Sequence, residues 1–334
     1  MVLSLKRLQT GDDYMYLGID LGGTNIKLGL LNDDLAVQEK LKVATESETN
    51  SETVMRNLIA GVKQLLIKTQ TGIDQIKAIG IGVPGQMDIK AGLSIFSPNF
   101  SHWDNVPVVQ LIENEFHVPT FMDNDVRVNL YGEWKLGAGK GKQDVLMVTL
   151  GTGLGAAMIT NGRMMYGKSN SAAELGHLNM YRHGRPCACG SSGCLGRYVS
   201  ARGMVKTVQE HLAAGEISVI TEWTHHDETK ITAQMISDAY DQQDALAQKV
   251  MQETGEILGY GLSSAINMFN PERIIIGGGV AATGDRLLKP TKEVIAGHAL
   301  KVAREVCDIV PARLGPWAGM IGAGVYAKQR TQTG

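Results

Sequence analysis

Long apolar runs are missing from this 334-residue chain, and none approaches the roughly 20 residues needed to cross a bilayer. The opening segment MVLSLKRLQTGDDY also lacks the continuous apolar centre and cleavage site of a secretory signal, so a cytoplasmic protein is expected. Charge of one sign is not in excess: 32 Lys+Arg stand against 34 Asp+Glu, for a net charge of −2. Without a basic surplus, a surface built to grip the phosphates of a nucleic acid is not expected. Aromatic residues make up only 5%. Cysteine is scarce, and three of the four cysteines crowd between Cys187 and Cys194. That clustering fits a cytosolic metal site better than a secreted disulfide framework.

What is present is an ordinary globular composition, 43% hydrophobic and 20% charged, on a chain long enough for two domains. Two segments share a pattern: YLGIDLGGTNIKLGLLNDD at 16–34 and VLMVTLGTGLGAAMITNGR at 145–163. Each reads as an apolar strand, a glycine turn carrying threonine, a second strand, and an Asn-Asp or Asn-Gly turn. Two related halves, each opening with a hairpin, would give this pattern; so would chance similarity of two hairpins. Elsewhere Val54, Leu58, Ile59, Val62, Leu65 and Leu66 have helical spacing, and 76–85 reads as a strand closed by Pro-Gly. Helix is expected at 106–116, strand at 118–126, and helix again from Arg127 to Lys135. A long helix from Ala245 to Phe269 should stop at Asn270–Pro271, before a buried strand and glycine turn at 273–281. This alternation implies a layered α/β architecture, and without a linker the halves are expected to pack closely around a cleft.

Three glycine turns follow apolar strands: Asp20-Leu-Gly22-Gly23-Thr24, Leu150-Gly151-Thr152-Gly153-Leu-Gly155, and Gly277-Gly278-Gly279. Glycine lets backbone N–H groups approach phosphate oxygens, and threonine adds a hydroxyl donor. The same turns would also serve plain hairpin geometry. Neither a Walker A lysine nor a G-x-G-x-x-G opening a helix occurs here, so P-loop and dinucleotide readings lose ground. Asp20 either caps its turn or holds Mg²⁺ through waters. His177 and the run Cys187-Ala-Cys189-Gly-Ser-Ser-Gly-Cys194 can supply four corners of a tetrahedron, a closed set that makes zinc structural. Cys307 reads as a core residue. Met122-Asp123-Asn124-Asp125 ends a strand at the edge where α/β sheets hold ligands. A carboxylate there suits a base that takes a proton from a sugar hydroxyl, and Asn124 suits sugar hydroxyls; Asp123 or Asp125 would equally cap the next helix.

Together these residues resemble the ROK family of sugar kinases and sugar-responsive repressors, from about Tyr16 to Lys328. The resemblance implies a two-domain actin-like ATPase (ribonuclease H-like) α/β fold with an inter-domain cleft. The small domain would be 1–125 plus 317–334, and the large domain 126–316. Asp20-Leu-Gly-Gly-Thr24 looks like the first phosphate motif, Gly151-Thr152-Gly153 part of the second, and Gly277-Gly278-Gly279 the adenosine motif. Val83-Pro-Gly85 matches the connecting loop, and Ser97-Pro98-Asn99 with Trp103 the sugar-side segment. Asn124-Asp125 matches the pair whose Asp is the base, and Glu174-x-x-His177 with the cysteines matches the zinc and sugar signature. The resemblance thus implies ATP and Mg²⁺ as cofactors and structural Zn²⁺ on His177, Cys187, Cys189 and Cys194. It also implies sugar contacts from Asn99, Asn124, Asp125, Glu174 and His177, and a homodimer.

One departure stands out: the family usually has Glu after Gly-Cys-Leu, touching the sugar near C1 and C2, where this chain has Gly196-Arg197. The expected activity is ATP-dependent phosphorylation of a free hexose, glucose or a close analogue at O6. N-acetylmannosamine, N-acetylglucosamine, allose, fructose or an amino sugar are the alternatives. A sugar-sensing repressor is the other class, but the segment before Tyr16 is expected to be too short for a helix-turn-helix module.

Overall fold

A computed structural model describes residues 14–97 and 99–333. The opening segment read for a signal, and Pro98 of the sugar-side segment, lie outside the described residues. The chain divides into two compact units, Met1–Lys135 with Pro316–Gly334, and Leu136–Gly315.

In the first unit a hairpin of β1 (Met15–Leu21) and β2 (Asn25–Leu31) is widened by β3 (Val37–Ala44) and by β4 (Ile76–Val83). Short strands β5 (Gln86–Asp88), β6 (Leu93–Phe96) and β7 (Asp104–Val106) form a separate sheet, and β8 (Thr120–Asn124) completes the main one in the order β3-β2-β1-β4-β8. β4 and β8 run parallel to β1. The central strands are buried almost throughout, whereas edge strand β3 alternates partly buried and exposed residues, as a one-sided strand should. The helix Ser51–Thr69 is capped by the Asn50 side chain and buries Val54, Leu58, Val62 and Leu65.

The helix Ala318–Thr333 contacts β1, β4, β2 and β8 through a glycine seam. A Cβ at Gly18 would overlap the Met320 carbonyl, and one at Gly80 the Ala323 carbonyl. The helix Asp125–Leu136 falls in this unit up to Lys135, ten residues past the expected 125/126 boundary. The reason is contact: a Cβ at Gly132 would lie 2.8 Å from the Ala318 carbonyl oxygen, and one at Gly322 would overlap the Val128 carbonyl.

The second unit repeats the arrangement. Here β9 (Val145–Leu150) and β10 (Leu154–Thr160) make the hairpin, β11 (Arg163–Met164) extends it, and β12 (Arg273–Gly277) and β13 (Asp308–Pro311) run parallel to β9. Sheet order β11-β10-β9-β12-β13 matches that of the first unit position for position. Asn161 and Gly162 both take positive φ, 50° and 71°, the paired left-handed turn that an Asn-Gly hairpin demands. The helix Ala245–Phe269 ends at Asn270, which is left-handed, and packs on the helix Asp285–His298. Cys307 is half-buried against this core, and burial pushes its thiol up to about 11.

Candidate functional site

In the first unit the chemistry gathers at the carboxyl ends of β1 and β8. Asp20 lies near the end of β1, and Lys27 Nζ donates to its Oδ2 at 3.2 Å across the hairpin. Burial raises the Asp20 proton affinity and the Lys27 charge only partly offsets it. Gly319 packs on this carboxylate; a Cβ there would meet Cγ of Asp20 at 2.7 Å. The turn Gly22–Thr24 is pinned by the buried Thr45: its hydroxyl donates to the Gly22 carbonyl at 2.7 Å, and its N–H to the Thr24 carbonyl at 3.1 Å. Asn99 sits beside this turn, its Cβ 3.5 Å from where a Gly23 side chain would begin. Trp103 is core: it is buried, stacks near Phe100 and donates to Ser94 Oγ at 2.8 Å.

At the end of β8 the polar residues divide their work. Asp123 is fully buried, accepting from Arg127 Nε at 2.5 Å and from the Asn124 N–H at 2.7 Å. Asn124, rather than either Asp, caps the following helix, its Oδ1 accepting from the Val126 N–H at 3.0 Å. Its amide NH₂ is the end left to donate. Asp125 begins the helix, partly buried, and its pKa is pushed up to about 6 by burial first and the charge of Asp20 second.

In the second unit, a cavity of about 430 Å³ opens beside two glycine turns. Gly151, Thr152 and Gly279 line it, and nothing lies within 4 Å of where a Cβ at Gly151, Gly153 or Gly279 would sit. Gly278, at φ 89°, lies so close to the Leu150 carbonyl that any side chain would overlap it, which holds the third turn against the second. Gln234, Ser237, Thr283 and Arg286 form another part of the lining. Arg286 bonds Ser237 Oγ at 3.1 Å, pairs with Asp241 at 2.5 Å and lies over the Tyr240 ring.

The predicted ligand set does converge. The donor atoms of His177, Cys187, Cys189 and Cys194 all lie within 4.8 Å of one another. His177 Nδ1 is 3.8 Å from Cys187 Sγ, and Cys189 Sγ is 3.7 Å from Cys194 Sγ. A tetrahedron with Zn–S bonds of about 2.3 Å has edges of about 3.8 Å, so the spacing and the soft donors fit zinc. The short helical turn Leu175–His177 carries His177, with the exposed Glu174 just before it. Gly176 presses on the Leu154 carbonyl at the start of β10, so this loop rests beside the second glycine turn.

The ROK family profile matches residues 16–330, nearly all of the described chain. The chain belongs to the ROK family. A glucokinase from Halalkalibacterium halodurans is 32% identical over 320 residues, covering 95% of this chain and 96% of that protein. The ROK glucokinase of Streptomyces griseus, solved with glucose and AMPPNP, has a TM-score of 0.80 and 30% identity, covering 94% of this chain and 99% of that one. ROK repressors are similar too: a xylose repressor from Caldicellulosiruptor bescii is 29% identical over 84% of this chain and 69% of its own length. The two-domain α/β fold expected from the motifs is therefore that of ROK proteins.

Several residues that shape these turns and the cavity carry no mark in the sequence. Thr45 follows the end of β3 and Lys27 lies within β2, with no glycine turn or cysteine cluster to flag them, and Ser237 and Arg286 come from separate helices. Among the described residues, no helix is long and apolar enough to cross a membrane.

Proposed function

We propose that this ROK protein is an ATP-dependent hexose kinase acting on glucose or a close analogue at O6, with Asp125 as general base. The observation that carries the reading is Asp125 itself: a carboxylate at a strand end, its proton affinity raised to about 6. Such a group is ionised at neutral pH yet basic enough to take a hydroxyl proton as the oxygen attacks phosphorus. The N–H groups of the turn at Gly22–Thr24 and of that at Gly151–Gly153 would face phosphate oxygens, and the turn at Gly277–Gly279 would border the adenosine. Mg²⁺, when bound, would neutralise charge developing on the phosphates, and Asp20 would hold it through water. Asn99, Asn124, Glu174 and His177 would orient the sugar. Zinc would be held by His177, Cys187, Cys189 and Cys194 and fix the loop that carries Glu174. A cytoplasmic homodimer completes the proposal, on the family resemblance.

Gly196 leaves the sugar open. A Cβ there would lie 3.3 Å from the Gly176 carbonyl oxygen, so glycine lets the loop behind Glu174 settle close. N-acetylmannosamine, N-acetylglucosamine, allose, fructose and amino sugars remain alternatives. The similarity to a xylose repressor supports a second reading, a sugar sensor without kinase activity. A coupled ATP-consumption assay across free hexoses, hexosamines and N-acetylhexosamines decides between them. High turnover on one sugar supports the kinase; sugar binding with no ATP consumption on any supports the sensor.

A further inference from the structure

Arg185 stands in a loop whose neighbours Pro186, Ala188 and Cys189 are partly or fully exposed, yet its own side chain is only 11% exposed. All five guanidinium N–H groups are used. Nη1 donates to the carbonyls of Arg197 at 2.8 Å and Gly203 at 3.0 Å. Nη2 donates to Thr207 Oγ1 at 2.9 Å and to Glu210, and Nε donates to Glu210 Oε1 at 3.1 Å. The guanidinium lies 4.5 Å over the Tyr198 ring, whose hydroxyl accepts the Arg185 N–H at 2.8 Å. On the loop side, the Arg185 carbonyl accepts the Gly193 N–H at 2.9 Å, next to Cys194.

Gly203, Thr207 and Glu210 all belong to the helix Ala201–Ala213. That helix is capped by Ser200, and its first N–H, from Ala201, donates to the Gly151 carbonyl at 2.9 Å. Ala201 and Met204 line the cavity beside the glycine turns. One rigid element therefore runs from the base of the cysteine loop to the wall of the nucleotide cavity. Lysine at this position would offer only three donors from a point charge and could not span these acceptors.

We propose that Arg185 is a positioning residue that locks the His177/cysteine loop to the helix walling the nucleotide cavity, so that metal and nucleotide binding are coupled. The inference rests on the metal reading of the cluster and on the proposed use of the cavity beside the glycine turns for the nucleotide. Coupling of this kind is reciprocal: whatever loosens the loop weakens the nucleotide, and the reverse.

The test uses the full chain as wild type, Arg185→Met, Arg185→Lys and Thr207→Val, read by zinc retained against a competing chelator and by calorimetric affinity for AMPPNP before and after zinc is stripped. Stripping should weaken AMPPNP binding to wild type by about 5-fold or more. Arg185→Met should lose zinc affinity by about 10–100-fold, and its AMPPNP affinity should be low with or without zinc, with Arg185→Lys recovering part. A folded Arg185→Met that keeps both zinc retention and zinc-dependent AMPPNP affinity overturns the proposal. If Arg185→Met does not fold, wild-type AMPPNP affinity that ignores zinc removal overturns it, and Thr207→Val showing a partial loss supports it. If wild type never retains zinc, the metal reading fails separately; unchanged AMPPNP affinity in Arg185→Met then also sinks the tie to the cavity.

Discussion

The charge of Asp20 raises the proton affinity of Asp125, second only to burial among the forces that bring it to about 6. The two carboxylates stand at the carboxyl ends of β1 and β8, and Asp20 has a lysine partner in Lys27. Burial holds both carboxylates above the usual range, and Asp20 alone has the charge of Lys27 beside it as a partial offset.

Replacing Asp125 by Asn keeps the shape of the helix start but removes the proton acceptor. Turnover of the best sugar should fall by about 10²–10⁴-fold. Sugar affinity, read by calorimetry, should stay within a few-fold. Near-wild-type kcat would show that another group is the base.

The pH profile follows from the sign of the same shift. As the proposed base Asp125 acts only when ionised, so log kcat/KM should climb with pH up to about 6 and level off above it. Stability runs the other way. The folded chain binds this proton more tightly than the unfolded one, so the contribution favours folding at low pH and is lost as pH rises from the usual carboxylate range through about 6. A limb at the ordinary carboxylate value near 4 would contradict the assignment.

Gly319→Ala places a methyl 2.7 Å from Asp20 Cγ. Overpacking of this kind costs about 1–3 kcal/mol, seen as a lower midpoint in urea. Activity should drop further than stability explains, because Asp20 must shift. A variant as stable and active as wild type would mean that the seam gives way freely.

Cys194→Ser removes the buried corner of the metal set. Zinc content should fall below one per chain, and sugar KM should rise while the circular dichroism of the fold persists. Unchanged sugar KM in zinc-free protein would separate the metal from substrate binding.

Gly196→Glu restores a carboxylate beside the loop of Glu174. Its Cβ would lie 3.3 Å from the Gly176 carbonyl oxygen, so that backbone must give by a few tenths of an ångström. The preference for glucose over N-acetylated sugars, as a ratio of kcat/KM, should rise. An unchanged ratio would mean that Gly196 does not face the sugar.

Much of this site is legible in the amino-acid sequence because its signals are local. The Asn161–Gly162 turn, the paired hairpins and the cysteine spacing each need only a few adjacent residues to declare themselves. Asp125 is visible as the polar end of an apolar strand. Asn124 as the cap depends on where the helix begins, which the adjacent Asp123 and Asp125 obscure; contacts between distant segments leave no trace at all, and Arg286 with Ser237 meet only through packed helices. The placement of the helix Asp125–Leu136 is hidden for the same reason. Its partners are Ala318 and Gly322, and glycine against glycine leaves no periodic apolar stripe to count.

That glycine seam also sets an order of events during synthesis. The residues Gly18 and Gly80 leave the ribosome early, but the helix that covers them, Ala318–Thr333, follows the whole second unit. Until it arrives, that face of the β1–β4 sheet is covered only where Val128 of the helix Asp125–Leu136 packs on Gly82, and the part around Gly18 and Gly80 stays open to other chains. The second unit, continuous from Leu136 to Gly315, can close first. The nascent protein therefore carries an unfinished first half past a finished second one, and a chaperone that shields early sheets should raise its yield.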